Sequence, residues 1–203
     1  MKETKTNPSV GIILLAAGSA SRMGMPKQLL VYEQEPLILH VLDKLLALNL
    51  PVTVVLGARA ALIRPVLNDY PVQIVENPDW DKGMGGSMQA GLQSHLDKEA
   101  VLLCVVDQPF LNAEILQALL GILNTTPHPR EVLGCAQYAD GTLGVPALLG
   151  EKWFDTMLKL PPQAGARKIL RSNQEQLATI LFPQGDFDLD KPEDWEKFRR
   201  LTD

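Results

Sequence analysis

Apolar residues run almost without a break from Ile12 to Ala17, from Val52 to Leu56 and from Val101 to Val106, and each run stops at Gly18, Gly57 or Asp107. Short apolar runs bounded in this way predict strands buried on both faces. Shorter runs at Val72–Val75, Val132–Gln137, Ala147–Leu149 and Thr179–Phe182 predict further strands. Between them the period changes. Ile38, Val41, Leu42, Leu45 and Leu46 share one helical face and predict a helix from about Leu37 to Leu48. Ile115, Leu116, Leu119, Leu120 and Leu123 predict another, capped by Asn112. Further helices are expected near Arg59–Leu67, from Ser87 onward, over Trp153–Leu160, around Ile169 and Leu170, and after Asp190, where Glu193 follows in capping-box spacing. This alternation predicts an α/β three-layer sandwich with a mostly parallel, Rossmann-like sheet. Ligands in such sheets bind beyond the C-terminal ends of strands, where Gly18 and Asp107 fall.

Composition narrows the function classes. The 203 residues, 46% hydrophobic, suffice for one domain with a sizeable core, with residues 1–9 expected to form a flexible tail. A net charge of −5 without a Lys/Arg block argues against nucleic acid or an anionic membrane as partner. The polar start and the lack of a long apolar run predict a cytoplasmic protein. Cys104 and Cys135 sit in strand-like runs and read as buried free thiols, and His40, His95 and His128 have no ligand spacing.

Three stretches carry candidate chemistry. After the first strand, Gly18, Ser19, Ala20 and Ser21 have small side chains, so their N–H groups could surround an anion, with Arg22 and Lys27 supplying cations. Neither a Walker loop nor a Gly-x-Gly-x-x-Gly fingerprint is present, which weakens a P-loop enzyme and a standard nicotinamide oxidoreductase. Gly83, Gly85 and Gly86 predict a flexible turn before Ser87. Asp107 ends the strongest strand and is followed by Gln108 and Pro109, well placed to face a ligand crevice and to hold magnesium, which favours one or two carboxylates plus substrate phosphates.

The segment L-A-A-G-x-x-x-R-M-G-x-P-K from Leu15 to Lys27 resembles the signature of the molybdenum cofactor nucleotidyltransferases, within the nucleoside-triphosphate transferase superfamily. Leu15, Ala16, Ala17 and Gly18 match the form that resembles the cytidylyltransferases. The resemblance implies a nucleotide-diphospho-sugar transferase type of fold, Arg22 and Lys27 on triphosphate with Asp107 as a third catalytic residue, and Ser19 and Ser21 in the phosphate loop. The G-M-x-x-S likeness implies nucleotide contacts from Gly83 and Ser87, with Asn77 beside them. D-Q-P resembles the family's D-x-P metal motif at Asp107, and the terminal D-x-D-x-P-E-D likeness brings Asp188 as a second Mg2+ ligand, with Asp190 as helix cap or further ligand. Gly144 and Pro146 match an acceptor-side G-x-P, and Arg167 ends a partial G-D-x-G-A-R match whose Gly-Asp is replaced by Pro162 and Gln163. The implied reaction transfers CMP from CTP to the phosphate of molybdenum cofactor and releases pyrophosphate, with a molybdenum hydroxylase or its chaperone as candidate delivery partner. Val145 and Pro162-Gln163 depart from the family pattern and leave room for another phosphorylated acceptor or another NTP. A reductase using NAD(P)H on the same scaffold and a non-catalytic cofactor carrier are the remaining alternatives.

Overall fold

The computed structural model describes residues 8–20 and 23–202. Every residue of strand β1 (Val10–Ala16) is buried. Ile12, Leu14 and Ala16 belong to one apolar cluster and Ile13 and Leu15 to another, so the two-residue period of the strand demands cover on both faces. β1 lies between β4 (Val52–Leu56) and β6 (Ala100–Val105) and is parallel to both. β5 (Gln73–Glu76) continues the parallel sheet beyond β4. On the other side, β8 (Leu143–Gly150) runs antiparallel to β6 and to β7 (Leu133–Gln137), and β9 (Ala178–Leu181) pairs parallel with β7. The order β5-β4-β1-β6-β8-β7-β9 therefore contains one reversed strand, β8. A short ribbon of β2 (Val31–Tyr32) and β3 (Glu35–Pro36) stands apart from this sheet.

Helices α1 (Leu37–Leu46), α2 (Ala60–Ile63) and α4 (Ala113–Thr125) cover one face through residues such as Ile38, Leu42, Ile63 and Leu119. Helices α3 (Met84–Leu92), α5 (Phe154–Leu158) and α6 (Arg167–Ser172) cover the other through Met88, Leu92, Phe154, Met157 and Leu170. The expected three layers are thus present. Helix α7 (Pro192–Thr202) docks through Phe198 onto Met23, Leu30, Leu37 and Leu189, which fixes the acidic segment before it against the segment that follows β1.

Several expected elements differ in ways that local chemistry explains. The helix expected near Arg59–Leu67 is α2 followed by a 3-10 turn over Arg64–Leu67, where Pro65 lacks the N–H that would continue an α-helix. The helix expected over Trp153–Leu160 opens as a 3-10 turn and becomes α-helical only over Phe154–Leu158. Helix α3 begins at Met84, three residues before Ser87, so Gly85 and Gly86 are helical and not part of a turn. β8 begins at Leu143, and its ladder with β7 shifts register between Cys135 and Ala136. The Asn112 cap forms as expected, its side chain accepting from the Ile115 N–H. At the start of α7 the reach-back comes from Asp194, whose carboxylate accepts from the N–H groups of Asp190 and Lys191.

Both cysteines are free and buried, and burial pushes both thiols up, away from any nucleophilic or ligand role. His95 is buried with its Nε2 against the Ile12 carbonyl, and burial lowers its pKa. It is a neutral packing residue. Among the described residues no helix is long and apolar enough to cross a membrane.

Candidate active site

Parallel pairing of β1 with β6 sets Leu15 opposite Val105, so both chains leave the sheet at the same edge. Ala17 and Gly18 follow one strand, and Val106, Asp107 and Gln108 follow the other. Two cavities open here, of about 240 and 270 Å3. The first is lined by Leu15, Ala16, Ala17, Gly18, Lys27, Gln28, Trp80, Met84 and Ser87. The second is lined by Gln108, Tyr138, Val145, Gln163, Arg167 and Asp188. Asp107, Val105 and Met84 line both, so the two spaces meet at the Asp107 carboxylate.

The loop after β1 turns sharply. Ala20 lies in the left-handed region with φ 49°, and its carbonyl accepts from the Met23 N–H. Ser21 and Arg22, expected on phosphate, lie outside the described residues. Ser19 is half-buried in this loop, whereas Gly18 is exposed, with open space where a Cβ would stand. Gln28 secures the exit of β1, donating to the Ala16 carbonyl at 2.7 Å and the Gly18 carbonyl at 3.3 Å.

Lys27 is buried and its Nζ sits 2.6 Å from Asp107 and 3.3 Å from Asp190. Burial works against its charge, but the two carboxylates outweigh that cost and raise its pKa, so the ammonium is held charged. Asp188, whose residue surface is largely exposed, lines the second cavity with its carboxyl partly desolvated. That desolvation, together with the negative charges of Asp107 and Asp190, pushes its pKa up to about 6 against the pull of Lys27 and Arg167. The acidic segment 188–190 is thereby brought to Asp107, as is Lys27 from the other end of the chain.

Asn77 is buried and does not face solvent. Its amide donates to the Ser87 Oγ at 3.0 Å, which leaves the Ser87 hydroxyl proton for an acceptor in the first cavity. Gly83 has φ 128°, and a Cβ there would stand 2.5 Å from the Pro162 carbonyl oxygen. Its glycine is accounted for by that close approach. Gly144 and Pro146, expected on the acceptor side, are buried within β8, and it is Val145 between them that lines the second cavity. Successive strand residues point to opposite faces, and a Cβ on Gly144 would collide with the Tyr138 ring. Arg167 opens α6 and lines the second cavity beside Tyr138, whose hydroxyl is pushed up by burial and held back by hydrogen bonds with Gln108 and Arg167.

Sequence reasoning did not single out Gln28, Trp80, Met84, Gln108 or Tyr138. A signal for Trp80 existed in Gly57: a Cβ there would lie 2.5 Å from the Trp80 Cβ and 2.9 Å from that of Ala17. Gly57 thus makes room for the aromatic wall of the first cavity. Met84 is 52% exposed yet sits where the cavities join, an exposed apolar surface that a bound ring could cover.

Asp107 and Asp188 share a cavity, and the Asp188 carboxyl is pushed up first by desolvation and then by the charge of Asp107, both of which a bound cation would offset. Among the described residues no group of three or more His, Cys, Asp or Glu is assembled as a metal site. Two carboxylates suit a hard cation that completes its shell with water and substrate phosphates, so the residues present fit Mg2+ or Mn2+ in that partial sense.

A mostly parallel α/β sheet with paired cavities and carboxylates at its strand ends puts a ligand crevice where open sheets of this kind bind their ligands. The chain belongs to the MobA-like NTP transferase domain family, whose model matches residues 12–178, and so to the nucleotidyltransferase superfamily. Among curated proteins, nicotine blue oxidoreductase of Paenarthrobacter nicotinovorans is 38% identical over 115 residues, a match that spans 56% of this chain and 56% of that protein. The chain therefore spans little more than half the length of this relative. Among solved structures, Rv0371c of Mycobacterium tuberculosis H37Rv superposes with a TM-score of 0.78 at 23% identity, covering 95% of this chain and 98% of that one. The same protein in complex with manganese superposes at 0.74 with 22% identity, covering 93% and 97%. A nucleotidyl transferase of Methanothermobacter, Mth528, gives 0.79 at 19% identity, covering 95% and 97%. At these identities the structural likeness establishes the fold.

Proposed function

We propose that this protein is a Mg2+-dependent cytidylyltransferase that transfers CMP from CTP to the terminal phosphate of molybdenum cofactor and releases pyrophosphate. The observation that carries this reading is the meeting of two cavities at Asp107, with the Lys27 ammonium buried against it. One cavity takes the nucleotide and the other the phosphorylated acceptor. An oxygen of the acceptor phosphate forms a bond to the α-phosphorus of CTP, and the bond from that phosphorus to the α,β-bridging oxygen breaks with its electrons leaving on pyrophosphate. The acceptor is already anionic, so the site has no need of a strong base. Its task is to hold two repelling anions in line and to stabilise the charge growing on pyrophosphate. Lys27 and Arg22 serve the triphosphate, Arg167 serves the acceptor phosphate, and Asp107 with Asp188 would hold the metal, while Asp190 pairs with Lys27. Bound Mg2+ supplies neutralisation of phosphate charge. In the first cavity Ser87 donates to the base, with Asn77 fixing its hydroxyl, while Trp80 and Met84 offer apolar surface to rings. The Ala16-Ala17 pair supports cytidine over guanosine. A molybdenum hydroxylase or its chaperone would receive the product.

A second reading, a reductase on the same scaffold, is favoured by the named activity of the 38% identical relative. Calorimetric titration with CTP, GTP, ATP and NADPH, with and without Mg2+, separates the two, followed by product analysis with molybdenum cofactor. Mg2+-dependent preference for CTP is expected, and binding of NADPH alone would refute the transferase reading. Asp107→Ala is expected to remove most turnover while leaving the fold intact, and near-normal turnover would refute the metal role.

A further inference from the structure

Gln108 follows Asp107 directly and is 1% exposed. Its Nε2 lies 2.6 Å from the Gly185 carbonyl oxygen, 2.9 Å from the Tyr138 hydroxyl and 3.1 Å from the Val145 carbonyl oxygen. The Tyr138 hydroxyl in turn donates to the Val145 carbonyl at 2.7 Å, so all three neighbours present oxygen acceptors to the amide nitrogen. Reversing the amide would set its oxygen against them, which fixes the orientation. The cost is visible at the other end, where the buried Gln108 Oε1 has no hydrogen-bond partner. Leaving such an acceptor unsatisfied is unfavourable, so the donors must secure something in return.

What they secure is the segment that carries Asp188 and Asp190. Gly185 opens that segment, and its carbonyl is bound by Gln108; Leu189, between the two aspartates, donates its N–H to the Asp107 carbonyl at 3.2 Å. The turn at Asp107–Gln108 therefore grips residues 185–189 at two points that flank Asp188. A Cβ at Gly185 would lie 2.3 Å from the Tyr138 ring, so the segment has no slack on that side.

We infer that Gln108 is a positioning residue whose side-chain amide sets Asp188 opposite Asp107, and so governs affinity for a divalent cation without touching nucleotide. This inference rests on the reading of Asp107 and Asp188 as metal carboxylates. The test is Mn2+ binding without nucleotide, read from the free-Mn2+ signal by electron paramagnetic resonance, in the wild type, Gln108→Met and Tyr138→Phe. Gln108→Met keeps the length and packing and removes both donors. It is expected to weaken Mn2+ about tenfold or more, the range for loss of a group that orients a metal ligand. At saturating Mn2+, CTP affinity should return to the wild-type value, a readout that general damage to the site would lower. Tyr138→Phe leaves the bond to Gly185 intact and is expected to keep wild-type Mn2+ affinity. If Gln108→Met fails to fold, Gln108→Asn, one methylene too short to reach Gly185, is measured in its place with the same expectation. Wild-type Mn2+ affinity in the variant would overturn the inference while leaving the metal site standing. An absence of Mn2+ binding in the wild type itself would overturn the metal assignment and this inference with it.

Discussion

Two glycines inside helices should respond to alanine with opposite signs. A Cβ on Gly85, in the first turn of α3, would stand 2.5 Å from the Ala164 carbonyl oxygen, 2.8 Å from that of Pro161 and 2.9 Å from that of Pro162. The Gly85 N–H also donates to the Pro162 carbonyl at 2.8 Å. All three obstacles are backbone, so no side chain can rotate away and the 161–164 loop must recede. Overpacking of this kind costs about 1–3 kcal/mol, and a lost hydrogen bond adds about 1 kcal/mol. Against this stands the gain in helix propensity, at most about 1 kcal/mol. The expected net is a loss of about 1–3 kcal/mol, or roughly 3–10 °C in Tm for a chain of this size. Gly121, inside α4, has no atom within 4 Å of its would-be Cβ. There only the propensity gain applies, and Gly121→Ala should raise Tm by about 2–4 °C. Differential scanning calorimetry of both variants decides the matter. Equal stabilisation by the two substitutions would refute the claim that Gly85 is glycine because a backbone loop lies against it.

The upward shift of Asp188 gives a pH prediction. A carboxyl with a raised pKa keeps its proton until pH climbs through about 6, so a cation must displace that proton below this value, and the metal-free protein loses stability as pH rises from the ordinary carboxylate range through about 6. Mn2+ affinity should therefore climb from pH 5 to pH 7 and level off above; a flat profile over that window would count against Asp188 as a ligand. Lys27→Met removes the cation 2.6 Å from Asp107 and 3.3 Å from Asp190, leaves their charge uncompensated, and should lower Tm at pH 7 by several degrees. An unchanged Tm at pH 7 would refute a stabilising role for that ion pair. Trp80→Ala removes the aromatic wall of the first cavity and should weaken CTP about tenfold in calorimetry while leaving Mn2+ affinity unchanged.

Local pattern was enough to determine much of this protein. Nearly unbroken apolar runs ending at Gly18, Gly57 and Asp107 dictate strands covered on both faces, and helical periods between them dictate the layers. The same runs put Gly18 and Asp107 at strand ends, because a buried strand can release polar groups only where it leaves the core. Pairings between distant segments lay beyond that reading. The contact of Lys27 with Asp190 joins residues 163 apart, and Gln108 meets Gly185 across 77, so neither leaves a periodic trace. Gly83 and Gly85 read as a flexible turn by composition, yet Gly85 is helical and both are small because the Pro161–Ala164 backbone lies against them. Val145 lines the second cavity while Gly144 and Pro146 do not, since strand alternation and the register shift opposite Cys135 and Ala136 select which side chain faces it. Short-range periodicity encodes which residues must leave water; which buried residues then meet is decided by the packing of the whole sheet and its helices.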